Sequence, residues 1–305
     1  ATGAATVTVD LDIDTTAKTI TRDSGDFNTL AVGDVINLSG NANTENDVAV
    51  MISEITSALV IKYIGPNTMV DETGLGNAFT PADSIEIGTT KKSYSIEKKF
   101  NDLTTKGLVY KGAYVDGFAM TAAYGEIING SFSFAMADYI QADQASELIT
   151  NGRTVDAAPT STSLNGTVDL AFLGSAEGGT FQGVDFCVQS IEVNLANNLQ
   201  AQNCIGKIGP DNYSLGTAQV TVNLSAYLSD ETWSFLAKKL NQEAFSIGFL
   251  IKNSGGYYGF YMPQVQISFD DPSSQGQNTD IIITASGVAK VGANSEKSLK
   301  IFKSA

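Results

Sequence analysis

The sequence predicts a mainly β chain in two units: a small β-barrel or sandwich, then a larger β-sandwich with one flanking helix. Three observations carry this expectation. Apolar and polar side chains alternate along many short runs, as at Val7, Val9, Leu11 and Ile13 or Phe245, Ile247, Phe249 and Ile251, and a period of two marks a half-buried strand. Glycine and asparagine punctuate the runs at turn-like spacing, for example Gly107, Gly112, Gly117, Gly125 and Gly130. One long segment, Ser229 to about Leu240, has helical spacing instead.

Composition sets the bounds. With 305 residues, 43% of them hydrophobic, the chain has material for two cores. There are 18 Lys and Arg against 33 Asp and Glu, a formal charge of −15, so an extended phosphate-binding surface is not expected. The acidity is concentrated at the front, where residues 1–90 hold 13 acidic and 3 basic side chains. No run of about 18 apolar residues is present, so no membrane insertion is expected, and the first residues do not read as a signal peptide. Cys187 and Cys204 read as two buried strand thiols, since a core of this size needs no disulfide staple.

In chain order, residues 1–88 are expected to form the small acidic all-β unit. Asp10, Asp12 and Asp14 imitate the first ligands of a calcium loop, but its glycine and closing glutamate are missing and apolar residues intervene. They read as the wet face of a strand, not as a metal site. Strands follow around Val35 to Leu38, Val48 to Ile55 and Leu59 to Tyr63, and the stretch from Pro81 to Thr90 crosses into the second unit, residues 89–305. Residues 93–136 read as consecutive antiparallel strands. A long segment of about 140–180 has little periodicity except at Val168, Leu170 and Phe172, a short alternating run suited to adding a strand to a neighbour's sheet edge. Ser190-Ile191-Glu192 echoes Ser95-Ile96-Glu97, which suggests two half-domains of similar plan.

In the helix, Ser229 is placed to cap, Asp230 and Glu231 sit at the positive end, and Lys238 and Lys239 at the negative end. Trp233, Leu236, Ala237 and Leu240 share one face, with Trp233, Leu236 and Leu240 expected as core anchors. Strands from Phe245, Tyr258, Val265 and Ile281 close the sheet, and Lys297 to Lys303 is a short basic strand or extended end.

Chemistry is conspicuous by what is missing. Without histidine there is no Ser-His-Asp or Cys-His arrangement, no HExxH helix and no usual zinc site for two cysteines. No phosphate-binding or dinucleotide glycine motif occurs. No catalytic residue, cofactor or metal is therefore expected, although 33 acids leave candidate carboxylate pairs for a glycosidase.

Residues 93–136 open with Ser93-Tyr94-Ser95-Ile96-Glu97-Lys98, continue through Tyr110-Lys111-Gly112-Ala113-Tyr114-Val115, and turn at Gly125. Downstream, in order, come Ser190-Ile191-Glu192, Asn197-Asn198-Leu199-Gln200, Gly216, Met262-Pro263-Gln264-Val265 and Asn278-x-Asp280. This order resembles tail tube proteins of long, non-contractile-tailed, siphovirus-like bacteriophages. Phe27, Leu30, Gly33, Asp34, Ile36, Gly40 and Asn46 fill the pattern of a module that precedes the tube domain in similar sequences.

The resemblance implies a structural protein and no enzyme. Its sandwiches join edge to edge in hexameric rings that close as a ring β-barrel, and the rings stack helically through the long loop and terminal segments. The bore carries genome DNA without specific binding, and further partners are the tail tip, tape measure and terminator proteins. The location implied is the virion tail, assembled in the bacterial host cytoplasm. A net-acidic bore wall with the front unit on the exterior completes this expectation. An extracellular adhesin or carbohydrate-binding module, with Tyr257, Tyr258, Phe260 and Tyr261 as its aromatic patch, is the alternative, and a glycoside hydrolase the third reading.

Overall fold

The structure, a computed structural model, describes residues 5–304 apart from 144–146, 149–166, 176–187, 231–232, 234–243, 254–255, 273–275, 293–295 and the single positions 67, 75, 101, 104, 105 and 278. Its first sheet contains β1 (Val7–Thr8), β2 (Leu11–Asp14), β3 (Thr19–Arg22), β4 (Val35–Ser39), β5 (Ala49–Ile55), β6 (Val60–Ile64), β7 (Glu72–Thr73) and β8 (Ala78–Pro81), in the order β1-β8-β4-β5-β6-β3-β2-β7. The two ends of that order meet. Val7 pairs with Phe79 and Ile13 with Glu72, and between them Val9 N–H donates to the Asn77 carbonyl at 2.9 Å and Gly74 N–H to the Leu11 carbonyl at 3.1 Å. Residues 7–14 and 72–79 are thus one antiparallel ladder, and the sheet closes into a small barrel.

Alternation decides what fills it. Leu11, Ile13, Ile20, Ile36, Val50, Ile52 and Ile61 point inward and are buried with Phe27 and Phe79. The Arg22 guanidinium, also buried, lies over the Phe27 and Phe79 rings at 5.0 and 5.4 Å and donates to the Ser24 and Asp26 carbonyls. The aspartates on the wet face serve turns: Asp14 accepts from the N–H groups of Thr16 and Ala17, and Asp10 from that of Gly76. Among the described residues no three metal-ligating side chains gather.

A buried polar cluster ties the barrel's loops together. The Glu72 carboxylate accepts from the N–H of Ala42 at 2.6 Å, the N–H of Asn43 at 3.2 Å and Asn46 Nδ2 at 2.7 Å. Asn46 in turn exchanges bonds with both backbone groups of Val70 at 3.0 Å. Burial alone would raise the Glu72 pKa, but these donors together outweigh it and hold the carboxyl below its ordinary range.

The chain leaves the barrel between Pro81 and Asp83, because β9 (Asp83–Glu86) already belongs to the second sheet. That sheet continues with β10 (Tyr94–Lys99), β11 (Gly107–Ala123), β12 (Asn129–Ala135), β13 (Asp138–Ala142), β14 (Thr167–Ser175) and β15 (Val188–Ala196). A hairpin of β16 (Gln200–Gln202) and β17 (Asn212–Ser214) stands apart, and β18 (Gln219–Tyr227), β19 (Ala244–Asn253), β20 (Gly256–Phe269), β21 (Ile282–Lys290) and β22 (Lys300–Ser304) complete the set. The main path runs β10-β11-β15-β18-β21-β20-β19-β14.

Strand β20 turns this sheet into a sandwich. Its second half pairs with β21, from Gln264–Lys290 to Phe269–Ala285, whereas its first half pairs with β19 and β22. Between the layers lies one apolar core that includes Ile191, Val193, Val222, Phe245, Phe249, Phe260 and Met262, with the Phe249 and Phe260 rings stacked at 4.9 Å. Strand β19 is buried on both sides. Leu250, with Tyr261 and Phe302, packs outward against Val35, Ala49, Met51 and Ile64 of the barrel. Gly33 (φ +86°) lets the barrel approach so closely that a Cβ there would sit 2.4 Å from the Tyr261 ring. The basic tail is indeed a strand, β22, which pairs Lys300 and Lys303 with Glu86 and Asp83 of β9.

Several expectations need correction. The two Ser-Ile-Glu strands do not found separate half-domains, because β10 and β15 pair in tandem with the first and second halves of the same long strand, β11. Cys204 is exposed in the loop between β16 and β17 and is not a buried strand thiol; its neighbours Asn203, Gly206 and Lys207 favour a turn. Cys187 lies outside the described residues. Trp233 closes a first helical turn, with its N–H donating to the Ser229 carbonyl at 2.9 Å, yet it is 61% exposed and joins no core cluster among the described residues. Helical spacing tells which side chains share a face, not whether anything covers that face. Leu236, Leu240 and the rest of the helix lie outside the described residues.

Candidate functional site

The sandwich presents one broad face on the side away from the barrel. In antiparallel ladders, directly paired residues share a face, so register alone assembles its rows. One row runs Thr121, Glu192, Asn223, Ser286, Ser268; the next runs Ala119, Asn194, Thr221, Val288, Gln266; a third contains Ser190, Ser225 and Thr284. These side chains are half-buried or exposed, and Thr221, Asn223, Gln266, Ser268, Ser286 and Val288 line a shallow concavity.

The face is polar and sparsely charged. Glu192 lies in its middle, Lys290 at one end, and the exposed Asp270, whose N–H donates to the Thr284 carbonyl at 3.0 Å, continues the third row. Asn194 Nδ2 at 3.0 Å and Asn223 Nδ2 at 3.1 Å donate to the two oxygens of Glu192 and hold its pKa below the ordinary range. Ser190 and Ser225 join their hydroxyls at 2.7 Å. Small side chains tied to one another in this way give a smooth surface with Lys290 as the cation at its end.

The sheet's edges are the second feature. Strands β12 and β13 form one line along β11, from Thr121–Asn129 to Gly107–Ala142, and no described strand pairs with their outer side. Gly112 (φ +58°) absorbs the irregularity where the two meet, since a Cβ there would sit 3.1 Å from Ala137. Phe132, Met136 and Tyr139 are exposed along this edge, and Ile205 and Ile208 are fully exposed on the β16–β17 loop. The hairpin leans on the same edge: Tyr213 Oη of β17 donates to the Met136 carbonyl at 2.7 Å, and its ring meets that of Tyr114 at 5.9 Å. Apolar groups clustered along an open strand edge mark a contact surface.

Residues 168, 170 and 172 fall on β14, which pairs with β19 of its own chain and ends the strand path. Their segment is a strand at a sheet edge; the remainder of 149–187 lies outside the described residues. The aromatic patch of the adhesin alternative does not stand open, because Phe260 and Tyr261 are buried and Tyr257 and Tyr258 half-buried. Sequence reasoning missed the polar face. Its signal was present in the polar half of each alternating run, such as Thr284, Ser286 and Lys290 in β21, where attention goes to the apolar half.

A family profile described as phage tail tube protein matches residues 1–289 of the chain. No curated protein matches it.

Proposed function

The chain belongs to the phage tail tube protein family, and from that premise we propose that it polymerises as stacked hexameric rings into the tail tube of a siphovirus-like phage, with the polar face of β11, β15, β18, β21 and β20 as the bore wall. Membership makes it a structural, self-assembling protein of the virion tail. The single observation that carries the bore assignment is the layer order: polar face, sandwich core, apolar contact, barrel. A tube with that face inward has the barrel outward.

Electrostatics supports the same orientation. Duplex DNA presents about one negative charge per 1.7 Å of axis, and a wall that neutralises about 6 to 10 phosphates would hold it nonspecifically. The face, with Glu192, Asp270 and Lys290, offers no such grip, and its slight excess of acid supports the acidic wall expected from the sequence. Lateral closure joins open edges such as β12–β13 to neighbouring copies, which removes the hazard of exposed strands. Strand β14, with Val168, Leu170 and Phe172, remains the candidate for strand addition between subunits, and residues 1–88 and 89–305 the exterior and tube domains. Tail tip, tape measure and terminator proteins are the further partners of such a tube.

Negative-stain microscopy of the purified chain tests this. Hollow tubes of uniform width are expected, and a chain that stays monomeric at every concentration contradicts the reading.

A further inference from the structure

The strands of the polar sheet end in two different apolar features, one at each end. At one end, residues 124–127 turn from β11 into β12 and expose Tyr124 (93%) and Ile127 (65%) with Glu126 between them. The turn is held in shape from below: Tyr124 N–H donates to the Gln189 carbonyl at 2.8 Å, Glu126 N–H to that of Ala123 at 3.2 Å, and Ile128 is buried in the core. A fixed turn carrying bare Tyr and Ile side chains is a knob.

At the other end, β15 leaves the sheet through a pinned corner. Asn197 N–H donates to the Asp116 carbonyl at 2.6 Å, Leu199 N–H to the Asp116 carboxylate at 3.0 Å, and Asn198 takes φ +50°. Beside that corner lies a groove lined by Ile87, Val115, Leu195, Leu199, Leu215 and Leu299, with Lys91 and Lys92 also in its wall. Lys91 is already engaged, donating to the Tyr213 carbonyl at 2.6 Å, whereas Lys92 is exposed. Knob and groove are separated by the strand from Val115 to Tyr124, about 30 Å at roughly 3.3 Å per residue.

We infer that the knob of one copy seats in the groove of the next copy along the tube axis. The occupant is a second copy for three reasons. A head-to-tail polymer needs two different, complementary patches that point in opposite directions, and these lie at opposite strand ends. Both are apolar at their centre. The knob carries an acid, Glu126, and the groove wall a base, Lys92, while the groove's own acid, Glu86, lies 3.7 Å from Lys300, so seating brings opposite charges together. This longitudinal contact rests on the tube reading and adds to it the residues that join one ring to the next.

The test uses the full chain in five forms: wild type, Tyr124→Ser with Ile127→Ser, the single charge reversals Glu126→Lys and Lys92→Glu, and the double reversal. All altered side chains are exposed, and an unchanged unfolding midpoint verifies the fold. The knob variant and each single reversal should raise the concentration needed for tubes by about tenfold or more, the equivalent of at least about 1.4 kcal/mol. The double reversal should recover most of that loss. If the wild type builds tubes and the knob variant builds them equally well, or if the double reversal stays as poor as its parents, the inference is overturned while the tube reading stands. If the wild type builds no tubes, both fall.

Discussion

In the barrel the ladder between residues 7–14 and 72–79 joins the ends of the sheet, so its hydrogen bonds are satisfied internally. In the sandwich the outer side of β12–β13 has no partner among the described residues, and Phe132 and Tyr139 are exposed along it. Both regions are made of the same alternating strands. The difference lies in closure, and it divides the work: the barrel completes its stability within one chain, whereas the sandwich leaves surfaces that only another molecule completes. The two are nonetheless firmly attached, through the apolar contact of Met51 and Ile64 with Leu250 and Phe302.

Damage to the closed region should appear as lost stability. Phe27→Ala removes a fully buried ring packed 5.5 Å from Phe79, and is expected to cost about 3 to 5 kcal/mol in urea unfolding of unassembled chain. A cost under about 1 kcal/mol would mean that the barrel does not rest on this core. Glu72→Ala strands the donors of Ala42, Asn43 and Asn46 and should cost about 3 kcal/mol.

The same carboxylate sets a pH dependence. Its pKa is lower folded than unfolded, so the unfolded chain binds the proton more readily and stability rises with pH across that window. The contribution is complete above the ordinary glutamate value of about 4.3 and is lost as pH falls through the folded value. Resistance to thermal unfolding should therefore weaken below about pH 4.3 in the wild type, with a shallower decline in Glu72→Gln.

Damage to the open region should spare folding and impair assembly. Phe132→Lys changes an exposed edge side chain and is expected to shift stability by no more than about 0.5 kcal/mol. Yet it should raise the assembly threshold about tenfold, near 1.4 kcal/mol; equal thresholds would break the contrast between the two regions. The smallest effect belongs to Glu192→Lys on the polar face. Tubes should form as before, but DNA retention inside them should become salt-sensitive. Retention identical to wild type would argue that the face does not meet DNA.

Much of the barrel was legible in the sequence because its determinants are local. Phe27, Gly33, Gly40 and Asn46 hold a core ring, two left-handed positions and a buried amide, and each is the residue type its position demands. Asn198 and Gly216 were likewise visible, and the corner explains them, since a Cβ at Gly216 would sit 2.0 Å from the Asn198 carbonyl oxygen. What escaped depends on distant partners. Nothing near Ile96 and Ile191 announces that their strands flank one long neighbour, and nothing within the run from Gly256 to Phe269 announces that it serves two layers. Trp233 shows the limit from the other side, because its helical phase was readable and its exposure was not.

Cryo-electron microscopy of assembled tubes at side-chain resolution tests the bore assignment directly. Thr221, Asn223 and Ser286 should face the channel, with residues 1–88 on the outer surface. A channel lined by the barrel, or one in which these three side chains are buried between subunits, would contradict it.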